Sequence, residues 1–476
     1  MAKTEEYQLR PLGWESDPQE ERLRFSSLDY LAACTYNSYA IFFKLKDEER
    51  PNVVTALRQG LERTLAQCRQ LVGTIEPNAA DDDHSFVKKR DSTVKFVVKY
   101  FSADDGAPSI SDIEKAHFAS SYLGDTTRFI IEGMTYGEKP ECLPSAKPVV
   151  SAYQANFIPG GLIFVMNFHH YANDVMGWAN FVHQLAENCY SAVHKTAPPP
   201  WDPANLDATR FTALDFPSES KVDGPTPPER HPLLREHSSL LFHLPKSKAE
   251  ELKKLATPEK ENGSWISTYD AFSAFLWRVL TKHRASLYGS GPEETPLFLE
   301  AVNMRRRTNP PVAKRQQRNL FWAAASASYP ELLTIKQITS EAPLSALAAK
   351  IRVMTNSMNQ AALDQALAML APVRDKTCLF TRVNSFPPLT IATTDWRETA
   401  ICEADFGFAQ PQAYRHFFNE VTEGLILVYP PRKSDNSDEG CEFVLTIEQD
   451  IVKAVMDDAD MKKYFEFRGY EIDGSK

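Results

Sequence analysis

"FIPGGLIFVMNFHHYANDVMGW", Phe157 to Trp178, decides the reading of this chain. Leu162 to Met166 form an unbroken apolar run of strand length, so His169 and His170 fall where a buried strand leaves the core. Neighbouring strand residues face opposite ways, and this reading makes His169 structural and gives His170 the exposed position. A neutral imidazole accepts a proton from an alcohol or amine near pH 7, the task of a general base. Asp174, four residues on, is placed either to fix the loop carrying that ring or to orient the ring itself. Gly177 follows, where backbone can approach a ligand closely. Of the eleven histidines only His170 has Asp at this spacing; His183 and His416 have Glu.

Outward from this stretch, the periodicity predicts a helix from Val175 to Tyr190. "VVTALRQGLERTLAQCRQLVG" places Leu57, Leu61, Leu65 and Leu71 on one helical stripe, and Ser92 to Phe101 alternates as a strand. Nine prolines between Pro198 and Pro232 stop the periodicity and mark a long connection. Beyond it a strand precedes a helix that starts after Pro245, and Ser267 or Thr268 caps a helix burying Ala271, Phe272, Phe275, Leu276 and Val279. Strands and helices alternate irregularly in both halves, which gives an α/β (mixed α+β) class in two domains, 1–197 and 236–476, joined by a crossover at 198–235. Part of 375–405 is expected to pack with the first domain.

The length of 476 residues supports two cores rather than one. A net charge of -10 disfavours a nucleic-acid binder, because such proteins neutralise phosphate with basic excess. Seven scattered cysteines with no CxxC pair suggest neither a metal site nor a disulfide framework. The first residues lack the apolar core of a secretory signal, and no stretch has membrane-span length; the expected location is the cytoplasm.

A second mark, "ADFGFAQP" with Asp405 and Gly407, follows about 230 residues after "HHYAND". The pair, in this order, resembles the BAHD acyltransferases, CoA-dependent enzymes with a chloramphenicol acetyltransferase-like fold, whose signatures are HxxxD and DFGWG. Phe408 and Ala409 replace the last two signature residues here. "SSLDYL", "STYDAFSAFLWR" and "AVNMRRRTNPP" extend the resemblance along nearly the whole chain, with Asn303 and Met304 where the family has Asp and Gly. The wording is most similar to the fungal trichothecene 3-O-acetyltransferases. The resemblance implies an acyl-CoA, acetyl-CoA foremost, as co-substrate with no permanently bound cofactor and no metal. It also implies a small-molecule acceptor, no nucleic-acid or membrane partner, and a monomer with a channel between its two domains.

By family position, His170 is the base, Asp174 orients and pairs with Arg305, and Thr394 and Trp396 supply an oxyanion donor. Asp405 and Gly407 shape a distant loop. Arg305, Asn319 and Gly177 are candidates for substrate or CoA binding. The six basic residues from Arg305 to Arg318 offer either a CoA phosphate site or a salt-bridged loop. The expected reaction is O-acylation of a small hydrophobic secondary metabolite. The alternatives are N-acylation, a condensation-like or isomerase relative that does not use CoA, and a catalytically silent binding protein.

Overall fold

The Gly161–His169 strand is buried along its full length and pairs antiparallel with Ser151–Ile158 on one side and Tyr36–Lys44 on the other. A strand covered on both faces reads as a continuous apolar run, which is why the alternation expected of a half-exposed strand is missing. In this computed structural model, which describes residues 2–78, 83–212, 217–259, 265–329, 331–418, 421 and 423–474, that strand lies inside a six-stranded mixed sheet. The spatial order is Lys3–Leu9, Val94–Tyr100, Ser151–Ile158, Gly161–His169, Tyr36–Lys44, Ala413–His416. The Val175–His194 helix covers one face: Phe181 stacks on Tyr153 at 5.9 Å and meets Phe168 edge-on at 5.2 Å.

A seven-stranded sheet forms the second half, in the order Phe321–Ala325, Phe298–Asn303, Ile391–Asp395, Leu425–Val428, Cys441–Glu448, His237–Leu244, Glu466–Ile472. The Thr268–Tyr288 helix packs on it through Phe272 against Phe443 (4.9 Å) and Trp277 against Phe298 (5.1 Å). Ser267 is its N-cap in a reciprocal capping box with Asp270, and Thr268 is its first residue. A three-stranded sheet (Glu20–Arg24, His84–Lys89, Thr74–Pro77) lies beside the first.

Chain order does not divide these sheets at residue 236. The strand that crosses back is Ala413–His416, which pairs with Tyr39 to Phe42 in the first sheet and lies beyond the 375–405 stretch expected to do so. Within that stretch the parts diverge: Ile391–Asp395 is a central strand of the second sheet, whereas Lys376 bonds Asp83 at 2.8 Å and Thr381 N donates to Leu31 O. The crossover is also more than a tether, because Ala208 and Phe211 are buried in the core of the second half; its residues 213–216 lie outside the described set. Leu71 falls in a 3-10 turn after the Arg50–Gln67 helix, buried with the stripe but not part of it. Among the described residues no helix is long and apolar enough to cross a membrane.

Candidate active site

The peptide that leaves the Gly161–His169 strand is fixed from several directions. His170 N donates to Thr35 O at 2.8 Å, and the Asn319 amide donates to the carbonyls of His170 (3.1 Å) and Tyr171 (2.8 Å). His169 is fully buried; its Nε2 meets Cys142 O at 2.9 Å and its Nδ1 accepts from Tyr171 N at 3.2 Å, so both ring nitrogens are used in holding the turn. The ring of His170 takes the other side and lines a cavity of about 250 Å³. Its Nδ1 is buried and has no hydrogen-bond partner among the described residues. Burial holds its pKa below the ordinary histidine value, partly opposed by backbone carbonyls and the Asp174 carboxylate, so the ring is neutral at pH 7.

Asp174 is the N-cap of the Val175–His194 helix, with Oδ1 accepting from Gly177 N at 2.7 Å. The same carboxylate accepts two parallel bonds from Arg305, both 2.9 Å, and one from Leu320 N at 2.8 Å. Both side chains are more than nine-tenths buried. With four donors on one carboxylate, Asp174 is an anchor between the halves of the molecule and makes no hydrogen bond to the His170 ring. Gly177 is required for a related reason: a Cβ there would lie 2.7 Å from Arg318 O. The backbone that approaches Gly177 belongs to this chain, not to a ligand.

The three residues offered for substrate or CoA contact, Arg305, Asn319 and Gly177, therefore do not line the cavity; they clamp the loop that carries His170. The basic run resolves in the same direction. Arg307 donates to the carbonyls of Thr355 (2.7 Å) and Met358 (2.8 Å), Arg315 pairs with Glu187, and Arg318 pairs with Asp29. Arg306, 77% exposed, reaches Glu398 at 3.3 Å. Most of the run is committed to internal contacts: Arg305, Arg315 and Arg318 to carboxylates and Arg307 to backbone carbonyls. Arg318 stands at φ 70°, a left-handed backbone that costs a non-glycine residue about 1–2 kcal/mol. Its guanidinium offsets that cost by bonding Asp29 and packing 4.9 Å over Phe86.

The cavity floor follows from strand register. Ala323, Ala301, Thr394 and Leu427 are successive cross-strand partners, and so are Leu299, Ala392 and Leu425 in the neighbouring row. Side chains paired in register share a face, so four adjacent strands present one apolar surface about 14 Å across, with the Thr394 hydroxyl near its middle. Trp396 Nε1 donates to Thr394 Oγ1 at 2.9 Å. The indole proton is thereby consumed, and among the described residues no hydrogen bond takes the hydroxyl's own proton. Glu300 and Thr393 alternate to the opposite face beneath the helices; Thr355 Oγ1 holds the Glu300 carboxyl at 2.7 Å, and burial pushes its pKa up to about 7.

Asp405 and Gly407 are remote. Asp405 Oδ1 accepts from Gly407 N at 2.8 Å, and Gly407 O meets His194 Nε2 at 3.1 Å, at the far end of the helix that Asp174 caps. Twenty residues at 1.5 Å each put the two motifs about 30 Å apart. Gly407 has φ 80°, and a Cβ would lie 2.7 Å from Tyr190 Cα. Gly407→Ala is expected to lower unfolding stability by about 1–3 kcal/mol in urea titration while leaving kcat of the folded fraction unchanged.

Sequence reasoning missed Asn37, Tyr39 and Tyr136, which also line the cavity. Tyr39 and Asn37 sit two apart on a strand, bonded through Tyr39 Oη and Asn37 Nδ2 at 2.9 Å. The polar residues at alternate positions of "TYNSYAIFF" were the available signal. Among the described residues no group of three or more His, Cys, Asp or Glu is placed to hold a metal ion.

Comparison with known proteins gives the class. The sequence profile of the Transferase family matches residues 15–461, and the chain belongs to this family of BAHD-type acyltransferases. It is an acyltransferase. Acetyltransferase FGR3 of Gibberella zeae is 52% identical, covering 99% of this chain and 95% of that protein. Trichothecene 3-O-acetyltransferase TRI101 of Fusarium sporotrichioides is 26% identical over 91% of this chain and 94% of that one. The solved structure of F. graminearum TRI101 complexed with coenzyme A and T-2 mycotoxin superposes with a TM-score of 0.75 at 21% identity, covering 94% of this chain and 100% of that one. That structure establishes the shared fold.

Proposed function

We propose that the protein transfers an acyl group, acetyl foremost, from acyl-CoA to a hydroxyl of a small hydrophobic secondary metabolite, directly within a ternary complex. The observation that carries this reading is that His170, whose ring burial holds neutral, and Thr394 line the same cavity. Nε2 takes the acceptor's proton as its oxygen bonds the thioester carbonyl carbon. The tetrahedral oxyanion is met by the Thr394 O–H, which Trp396 orients through the indole N–H; one such donor is worth about 3 kcal/mol of barrier. Collapse breaks the C–S bond, and the imidazolium returns the proton to the departing thiolate. No nucleophilic side chain is acylated.

Two features support CoA as the donor: the family, and the coenzyme A bound in the TRI101 structure of similar fold. The test is a screen of acetyl-CoA and longer acyl-CoAs against hydroxylated terpenoid and polyketide acceptors, following thiol release, with CoA binding measured by calorimetry. Saturable CoA binding and acceptor-dependent thiol release are expected; the absence of both overturns the reading. The rate has a predicted pH signature. A base works in its neutral form, and burial penalises the imidazolium, so kcat is flat through neutral pH and falls on the acid side with a midpoint below 6.5. A midpoint above 7 contradicts His170 as that base.

A further inference from the structure

The reaction cavity does not end at the floor strands. Ala33, Tyr136, Thr381, Val383 and Leu425 line it and also line a neighbouring chamber of about 550 Å³, so the two are parts of one passage. Tyr136 and Phe418, stacked at 4.3 Å, stand in the wall of the inner part. The chamber differs from the cavity in chemistry. Its walls carry Arg230, Arg382, His237 and Asn384 together with Glu138 and Glu423.

The charges in this chamber are matched. Arg230 bonds the buried Glu423, whose Oε1 also lies 3.4 Å from His237 Nδ1. Arg382 reaches Glu138 at 3.1 Å, donates through Nη1 to Pro228 O at 3.1 Å and through Nε to Asn384 Oδ1 at 2.7 Å. A ligand bearing several phosphate charges gains affinity from cations that have no counter-charge, and both arginines here already face carboxylates. Hydrogen-bonding capacity is what the chamber has to offer. Asn384 uses its side-chain oxygen on Arg382 and, among the described residues, leaves its amide N–H groups unengaged; His237 turns Nδ1 toward Glu423 and, among the same residues, leaves Nε2. The Asn384 amide is a neutral donor suited to oxygen atoms of an uncharged ligand, and His237 Nε2 is a second nitrogen that can bond one.

We infer that this chamber holds the remote portion of the acceptor, that this portion is neutral and bears hydroxyl or carbonyl oxygens, and that Asn384 and His237 select it. The acceptor then has two ends: an apolar body over the sheet face, where its reacting hydroxyl meets His170, and an oxygenated end beyond Tyr136. Fixing the far end by a few polar contacts sets which hydroxyl reaches the base, the usual division of labour in an apolar site. Asn384 and His237 lie away from the reacting atoms, so they are specificity residues rather than catalytic ones.

The inference rests on the acyl-CoA reading above, and its test separates the two. The acceptor giving the fastest thiol release in the screen is compared with its analogue lacking one remote oxygen, using the parent, Asn384→Leu and Asn384→Asp. Asn384→Leu is expected to raise the KM for the oxygenated acceptor about 10-fold, the value of one neutral hydrogen bond, with little change for the deoxy analogue. The KM for acetyl-CoA and the Kd for CoA should stay within twofold. Asn384→Asp keeps the side-chain size and adds a negative charge, and it should discriminate against carbonyl oxygens more than hydroxyls. A rise in acetyl-CoA KM instead assigns the chamber to the cofactor and overturns the inference. Equal losses on both acceptors, or none on either, also overturn it. Unfolding midpoints matching the parent exclude a folding defect, and a parent that neither binds CoA nor releases thiol refutes the acyl-CoA reading itself.

Discussion

His170→Ala is expected to lower kcat by roughly 10²- to 10⁴-fold, the usual contribution of a positioned general base. Fold and CoA affinity should change little. The side chain contributes only a cavity-facing ring: the hydrogen bonds that hold this turn use the backbone of residue 170 and the side chains of His169 and Asn319. Truncation therefore removes the proposed proton acceptor without loosening the loop. The measurement is thiol release under saturating acyl-CoA and acceptor, paired with an unfolding curve and a CoA titration. A variant that keeps the parental rate removes His170 from the mechanism. A variant that loses rate together with stability would instead make this ring part of the scaffold.

The second large effect is on stability. Asp174→Ala is expected to lower the unfolding free energy by about 3–5 kcal/mol, because Arg305 is left as a buried charge whose partner is gone. Loss of the helix cap adds about 1 kcal/mol, and Leu320 N is orphaned as well. Arg305→Ala should cost a similar amount by stranding the carboxylate. The double variant should be less destabilised than the sum of the two, since neither charge is then left alone; strict additivity in urea unfolding would mean the pair is not coupled. The rate should also fall, because Arg305 Nε donates to Gln316 O and Nη2 to Arg318 O. These bonds close the 305–318 segment on itself, and Asn319, which follows it, donates to the carbonyls of His170 and Tyr171. Rate and stability thus fall together here, the opposite of the His170 pattern.

The departures from the family wording make sense in this setting. Asn303 in place of an aspartate still accepts from Arg305 N at 3.1 Å, so one neutral oxygen suffices beside a guanidinium already matched by Asp174. Arg318, at a left-handed backbone, makes an ion pair with Asp29. Phe408 packs its ring on Phe43 and Phe406, and Phe406 N donates to Ala409 O at 3.2 Å, so the altered DFG loop is closed by aromatic packing.

The sequence by itself determined whatever depends on neighbours along the chain. The buried run Leu162–Met166, the switch to helical spacing after Asp174, the Ser267 cap and the proline-rich break are local patterns, and each expresses a backbone preference that tertiary contact had no reason to override. The HxxxD and DFG marks were legible for the same reason: each is a short segment whose spacing carries its geometry. Tertiary structure alone decided which distant segments meet. No periodicity in Arg305, Asn319 or Gly177 distinguishes a residue that binds a ligand from one that clamps a loop, since that depends on what lies opposite once two halves close. The return of Ala413–His416 to the first sheet, the shared face of Ala323, Ala301 and Thr394, and the paired charges around Asn384 were likewise invisible beforehand. Strand register and the matching of buried charges are set by partners hundreds of residues away, and only the closed fold brings them within bonding distance.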